Sequence, residues 1–183
     1  TRDLITHAVE GSFETDDVTD YYRTPVELGW DRYTEFDHDF VGREALEAEA
    51  ADPRRVLVTL EWNEDDVVDV YASLFRDGPT CKFMEMPHQQ KRAMIADRVL
   101  VDGEDVGVAT MRGYSYYFRQ MLSLCTIDVE HSDPGTEVTV LWGEGPNPTS
   151  PTVEDHVQTE VRATVAETPY KQDRRRADLS AAE

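Results

Sequence analysis

The sequence predicts a mainly β protein: a small antiparallel Greek-key-like barrel with one or two short helices. Three observations predict it. After Pro53 about six β-type runs follow one another, with turn signals between most of them. Asp102-Gly103, set between two apolar runs, is a strong hairpin signal. Residues 137–142 and 156–165 alternate apolar and polar side chains with the period of a half-buried strand.

The elements follow in order. Residues 1–30 mix polar and aromatic types with little periodicity. Residues 43–50, REALEAEA, are strong helix formers; Gly42 is the expected N-cap, and Asp52-Pro53 ends the helix. Residues 56–60 form a β-type run. Asn63 caps a helix over 64–75, with Asp65 and Asp66 in the first turn, where the helix dipole favours acids. Asp77-Gly78-Pro79 turns the chain, and 80–86 reads as a strand. Strands over 98–101 and 105–110 flank the hairpin, and 120–129 follows. Asp133-Pro134-Gly135 is a further turn. On the last strand Val157, Val161, Ala163 and Val165 share one face.

Charge is the least ordinary property. Thirty-eight acids against 18 Lys and Arg give a net charge of −20 over 183 residues. Such a surface repels nucleic acid and anionic membranes. The acids run along the whole chain, and lysine occurs only at 82, 91 and 171. Dense carboxylates with scarce lysine read as a salt-adapted, halophilic surface whose self-repulsion concentrated salt screens; an ordinary acidic cytosolic protein is the alternative. With 39% hydrophobic residues the chain can still bury a real core. No long apolar run or signal peptide is present, so a cytoplasmic location is expected. The chain opens on Thr1 in mid-pattern, which reads as a piece of a longer protein.

Candidate chemistry is sparse. Asp37-His38-Asp39 could make a basic histidine. In a strand, however, the two acids point away from His38, so the cluster reads as a joint whose acids accept backbone N–H groups ahead of Gly42. Cys81 and Cys125, in apolar strand-like runs, lack a CxxC partner, and the five histidines lack ligand spacing, so no metal site is expected. Ser115 does not sit in GxSxG. The loop 143–148 contains GxG, but Glu144 would repel a phosphate. Residues 111–119, MRGYSYYFR, could stack on a flat ring and grip a carboxylate, or could be a crossing between strands with packed tyrosines. Arg174-Arg175-Arg176 could clamp an anion or lie in solvent.

Taken together, Tyr22-Arg23-Thr24-Pro25-Val26-Glu27-Leu28-Gly29, FDHDFVGREAL over 36–46, VDGEDVGVAT over 101–110, Pro134-Gly135-Thr136-Glu137-Val138 and Pro169-Tyr170 resemble the ordered motifs of the glycine-cleavage T-protein (aminomethyltransferase) family. Residues 62–67, 113–116 and 156–165 look most similar to its tetrahydrofolate-dependent vanillate-type O-demethylase branch. One departure is Thr110-Met111-Arg112-Gly113, where the family has Thr-Ser-Gly.

The resemblance implies a division into 1–52, the tail of an α+β central folate-binding domain with a linker helix, and 53–183, the C-terminal barrel with a polar tail. It implies the C-terminal portion of a tetrahydrofolate-dependent methyl or aminomethyl transferase that moves a one-carbon group to folate N5. On this reading the portion itself is not catalytic. Its partners are the upstream folate-binding domains of the same chain and a small methyl or aminomethyl donor. Arg32, Tyr114, Arg119 and Arg175 are the residues expected to face folate. The alternative is a non-catalytic folate or interaction module of a sarcosine- or dimethylglycine-dehydrogenase-like oxidase.

Overall fold

The computed structural model describes residues 9–88, 94–145 and 153–170. Along them run strand β1 (Val9–Glu10), helix α1 (Arg43–Ala51), β2 (Arg55–Trp62), helix α2 (Glu64–Ser73), β3 (Met94–Val101), β4 (Glu104–Ser115), β5 (Gln120–Asp128), β6 (Glu137–Trp142) and β7 (Thr159–Ala166). Strands β3-β4-β5-β2-β7-β6 are neighbours in that order, and β3 also pairs with β6, which closes an antiparallel barrel. The three consecutive strands β3, β4 and β5, with β2 returning beside β5, form a Greek key. β1 joins from outside, parallel to the start of β3.

Alternation decides what fills the barrel. Leu60, Trp62, Val99, Ile127, Val140 and Val161 are fully buried, and each such side chain contributes roughly 1.5–3 kcal/mol of hydrophobic stabilisation. Trp62 and Trp142 meet edge to face at 5.9 Å. Their indole N–H groups donate to Ser123 Oγ and to the Lys82 carbonyl, both at 2.9 Å, so neither polar edge is left bare.

Asn63 caps α2, its side chain accepting from the Asp66 N–H at 3.1 Å. The Asp66 carboxylate in turn grips the Arg162 guanidinium at 2.7 and 2.9 Å, tying the helix N-terminus to β7. That bonding holds the Asp66 carboxyl below its ordinary value.

The barrel and helices are as expected, with four differences. Residues 80–86 do not join the ladder as a strand; among them only Cys81 makes a single bridge, to Val157. The alternation there is real, since Lys82 and Met84 are buried while Phe83 is half-exposed. The segment instead crosses the end of the barrel, and side chains take its backbone groups: Ser73 Oγ accepts from Cys81 N–H, Glu154 from Phe83 N–H, Tyr71 OH donates to the Met84 carbonyl and Arg112 to that of Glu85. β3 starts at Met94, earlier than expected, because Asp97 interrupts the apolar pattern of a strand that is nonetheless buried. Residues 113–115 continue β4 beyond a register shift at Thr110/Gly113, so they are not a crossing between strands. Val157 lies outside β7 and is 44% exposed, unlike Val161, Ala163 and Val165.

Among the described residues no helix is long and apolar enough to cross a membrane.

Candidate functional site

The β4–β5 hairpin brings two of the expected residues together. Tyr114 leaves β4 half-buried, packs against the core and meets the Tyr116 ring edge-on at 5.2 Å. Its N–H donates to the Pro87 carbonyl, which pins the 86–88 segment along the strand. The turn then passes through Arg119, whose positive φ of 55° and N–H bond to the Ser115 carbonyl at 2.7 Å reverse the chain. Tyr116 and Tyr117 stand 74% and 66% exposed on the same turn, and Tyr117, Phe118 and Tyr170 form an edge-on series with centroids 4.8 Å apart. The result is an aromatic knuckle whose turn includes the exposed Arg119.

Arg32 lies elsewhere. It sits in a 3-10 turn, Asp31–Tyr33, its guanidinium 4.9 Å above the Tyr33 ring. This part of the chain is laid against the sheet where Gly29 meets Leu57 and Thr126 Oγ1 approaches the Glu27 carbonyl. Thr126 is five residues along β5 from Met121, the partner of Tyr114, which separates the two places by roughly 17 Å. Arg175 lies outside the described residues.

Asp37-His38-Asp39 is a surface bend, and the strand geometry expected for it is absent. Asp37 Oδ1 does reach His38 Nδ1, at 2.9 Å, and Asp39 pairs with the Arg43 side chain at 3.2 Å; the backbone N–H groups expected as partners are not what these side chains bind. Side-chain exposures of 65% and 77% for His38 and Asp37 leave the pair in water. The cluster precedes α1 without the enclosure that would tune a base.

The structure assembles a second constellation that the sequence reading does not single out. Glu10, Lys82, Asp97, Arg112 and Glu144 are all at least nine-tenths buried at one end of the barrel. Lys82 Nζ sits 2.6 Å from Glu144 Oε1 and 3.9 Å from Glu10 Oε2. Arg112 lies over the Trp142 ring at 5.2 Å and donates to the Glu85 carbonyl at 2.9 Å. Burial pulls its pKa below the ordinary arginine value. Asp97 accepts the Ser12 N–H at 3.2 Å. Burial pushes the Asp97 carboxyl up to about 7, against the downward pull of the Ser12 N–H, Lys82 and Arg112 and with Glu144 adding to the rise. Glu144, read in the sequence as a displayed loop acid, is turned inward. Its backbone N–H donates to His156 Nε2 at 2.8 Å while His156 Nδ1 faces the Glu154 carbonyl at 2.7 Å. Those two partners select the neutral tautomer with the proton on Nδ1.

One signal in the sequence points to this centre: Lys82 and Asp97 are charges set within largely apolar runs, and a charge on a core-facing position requires compensation. A small pocket of about 30 Å³ lies beside this centre, lined by Glu10, Lys82 and Arg112 together with the exposed Phe83 and Glu154. Cys125 is itself enclosed, and burial pushes its thiol up, away from a reactive thiolate.

No protein-family model matches the sequence. The chain is 43% identical over 164 residues to the syringate O-demethylase of a Sphingobium species, covering 89% of this chain and 36% of that protein. It is 43% identical over 157 residues to the sesamin methylene transferase of a Sinomonas species, covering 80% of this chain and 33% of that protein. It therefore spans about a third of the length of the curated relatives it matches. Among solved structures it is similar to the glycine cleavage system aminomethyltransferase T from Bartonella henselae, with 14% identity, a TM-score of 0.44, and coverage of 81% of this chain and 32% of that one. At 43% identity across four-fifths or more of its residues, the chain is a relative of the first two proteins, and it carries motifs that resemble those of the glycine-cleavage T-protein (aminomethyltransferase) family.

Proposed function

We propose that this chain is the C-terminal portion of a tetrahydrofolate-dependent one-carbon transferase of the O-demethylase type, not itself catalytic, whose barrel closes one wall of the folate cavity. The observation that carries the reading is the 43% identity to a protein named for O-demethylation and to one named for methylene transfer. The division at about residue 52, between a folate-domain tail and the barrel, belongs to the same proposal. So does a cytoplasmic, salt-adapted setting.

The side chains suit the cofactor's chemistry. Tyr114 offers a half-buried aromatic face for a flat ring, and Arg119 and Arg32 offer guanidiniums that match a carboxylate's two oxygens. Arg175 completes the set from outside the described residues. When bound, folate supplies N5 as the acceptor of the one-carbon unit. The residues of this chain hold and orient it and keep water from that wall. A small methyl or aminomethyl donor and the upstream domains of the same chain are the partners on this reading.

The test is turnover by the longer protein that contains this chain, given tetrahydrofolate and a panel of methoxylated aromatics, a glycine-cleavage partner and dimethyl sulfonium compounds. Folate-dependent loss of an aryl methyl group is the expected result. Turnover without folate would remove the reading. Arg119→Ala and Arg175→Ala should each weaken folate binding; an unchanged dissociation constant removes that residue from the site.

A further inference from the structure

We propose that the small pocket between Glu10, Lys82 and Arg112 binds an ordered water molecule, which bridges the Lys82 ammonium to the Glu10 carboxylate and accepts the Arg112 Nε–H. The proposal concerns how this end of the barrel is joined and stands whether or not the protein uses folate.

The first observation is a gap. Lys82 Nζ and Glu10 Oε2 are 3.9 Å apart, although both side chains are more than nine-tenths buried. That distance is beyond hydrogen-bond length. A buried ion pair that stops short of direct contact is the arrangement a bridging water completes. The ammonium has three N–H donors, and one of them goes to Glu144 Oε1 at 2.6 Å. Glu10 has other interactions as well. They do not compete with a water, because a carboxylate has about four acceptor sites.

The second observation is a donor. Arg112 is 6% exposed and lines the same pocket. Its terminal nitrogens donate to the Glu85 carbonyl at 2.9 Å and to the Met121 sulfur at 3.3 Å. Its Nε has no partner among the described residues. A buried donor left without an acceptor is costly, more so on a charged group, and an ordered water is the usual remedy.

The third observation is room. The pocket offers about 30 Å³, where one water needs roughly 10–15 Å³. Small-molecule sites begin at roughly 300 Å³, so nothing the size of a substrate fits. Water also suits the surrounding charges. A chloride would face the carboxylates of Glu10, Glu85 and Glu154, and a metal cation would face Lys82 and Arg112. A water takes one N–H from each cation on its lone pairs and gives its hydrogens to carboxylate oxygens. It thereby joins three distant parts of the chain: β1 at Glu10, the crossing segment at Lys82 and β4 at Arg112.

A crystal structure of the 183-residue chain tests this. The expected result is density for a water at about 2.7–3.2 Å from Lys82 Nζ, Glu10 Oε2 and Arg112 Nε. Direct contact between Lys82 and Glu10, a protein atom bonded to Arg112 Nε, or well-ordered side chains with no water between them overturns the proposal. In solution, oxygen-17 relaxation dispersion counts the waters held longer than the protein's tumbling time. Glu10→Leu removes the acceptor with little change in volume and should lose a single long-lived water; an equal count overturns the proposal. If Glu10→Leu does not fold, Arg112 of the natural protein decides. Its Nε–H proton should show a cross-relaxation peak to water, with the sign of a long-lived contact and not of proton exchange, and no such peak overturns the proposal.

Discussion

Replacing Asp97 by Asn should make the barrel more stable at neutral pH, and by an amount that grows with pH. Asp97 ionises near 3.8 in an unfolded chain and at about 7 in the folded one. Its folded pKa is raised, so the folded state binds the extra proton. The cost of ionising it is therefore absent below the unfolded value, accumulates as pH rises, and is complete above the folded value. Roughly three pKa units at about 1.4 kcal/mol each set an upper bound of about 4 kcal/mol, reached above pH 7. Slightly more than half of it, roughly 2–3 kcal/mol, accrues between pH 5 and pH 8. Asparagine keeps the acceptor for Ser12 and never ionises, so it escapes the whole term. Urea denaturation of both proteins at pH 5, 6, 7 and 8 in 1 M KCl measures the gap, which should widen across the series and flatten after pH 7. In melting temperature it corresponds to roughly 5–10 °C for a chain of this size. A gap constant to within about 0.5 kcal/mol from pH 5 to pH 8 would refute the reasoning, because other titrating groups cancel in the difference.

Lys82→Met should cost about 3–5 kcal/mol at pH 7.5 by the same denaturation assay, because Glu144 would stay buried without the ammonium group it is paired with. Gly11→Ala should lower stability by at least about 2 kcal/mol, since Gly11 has φ +112° and a methyl group there would meet backbone, not a flexible side chain; its melting curve is the measurement. Asn63→Ala should cost about 1 kcal/mol, a drop of a few degrees in melting temperature, through the lost α2 cap. For the surface as a whole, a net charge of −20 predicts a melting temperature that climbs steeply from low salt to molar KCl, and a flat response would remove the salt-adapted reading.

Much of this architecture is local enough to be legible. The β6 alternation, the Asp102-Gly103 hairpin, the Asn63 cap and the Gly42 start of α1 are each written in a few neighbouring residues and need nothing from the rest of the chain. The T-protein motifs are legible for a similar reason: short turns and caps demand particular residues in a particular order. The pairing of the Asp-His-Asp cluster was not legible, because a bend turns side chains in directions that strand periodicity does not describe.

The sequence alone determined that this chain would be a β barrel with two short helices and an acidic surface, because those follow from periodicity, turn chemistry and composition. Tertiary structure alone decided that Lys82 crosses the barrel end instead of joining the sheet, that Glu144 points inward, and that Glu10 and Asp97 are both buried. The physical reason is distance along the chain. Residues 10, 82, 97, 112 and 144 share one enclosure only after the barrel closes. Whether a charge is solvated or buried, and hence when it ionises, depends on neighbours that no local pattern names.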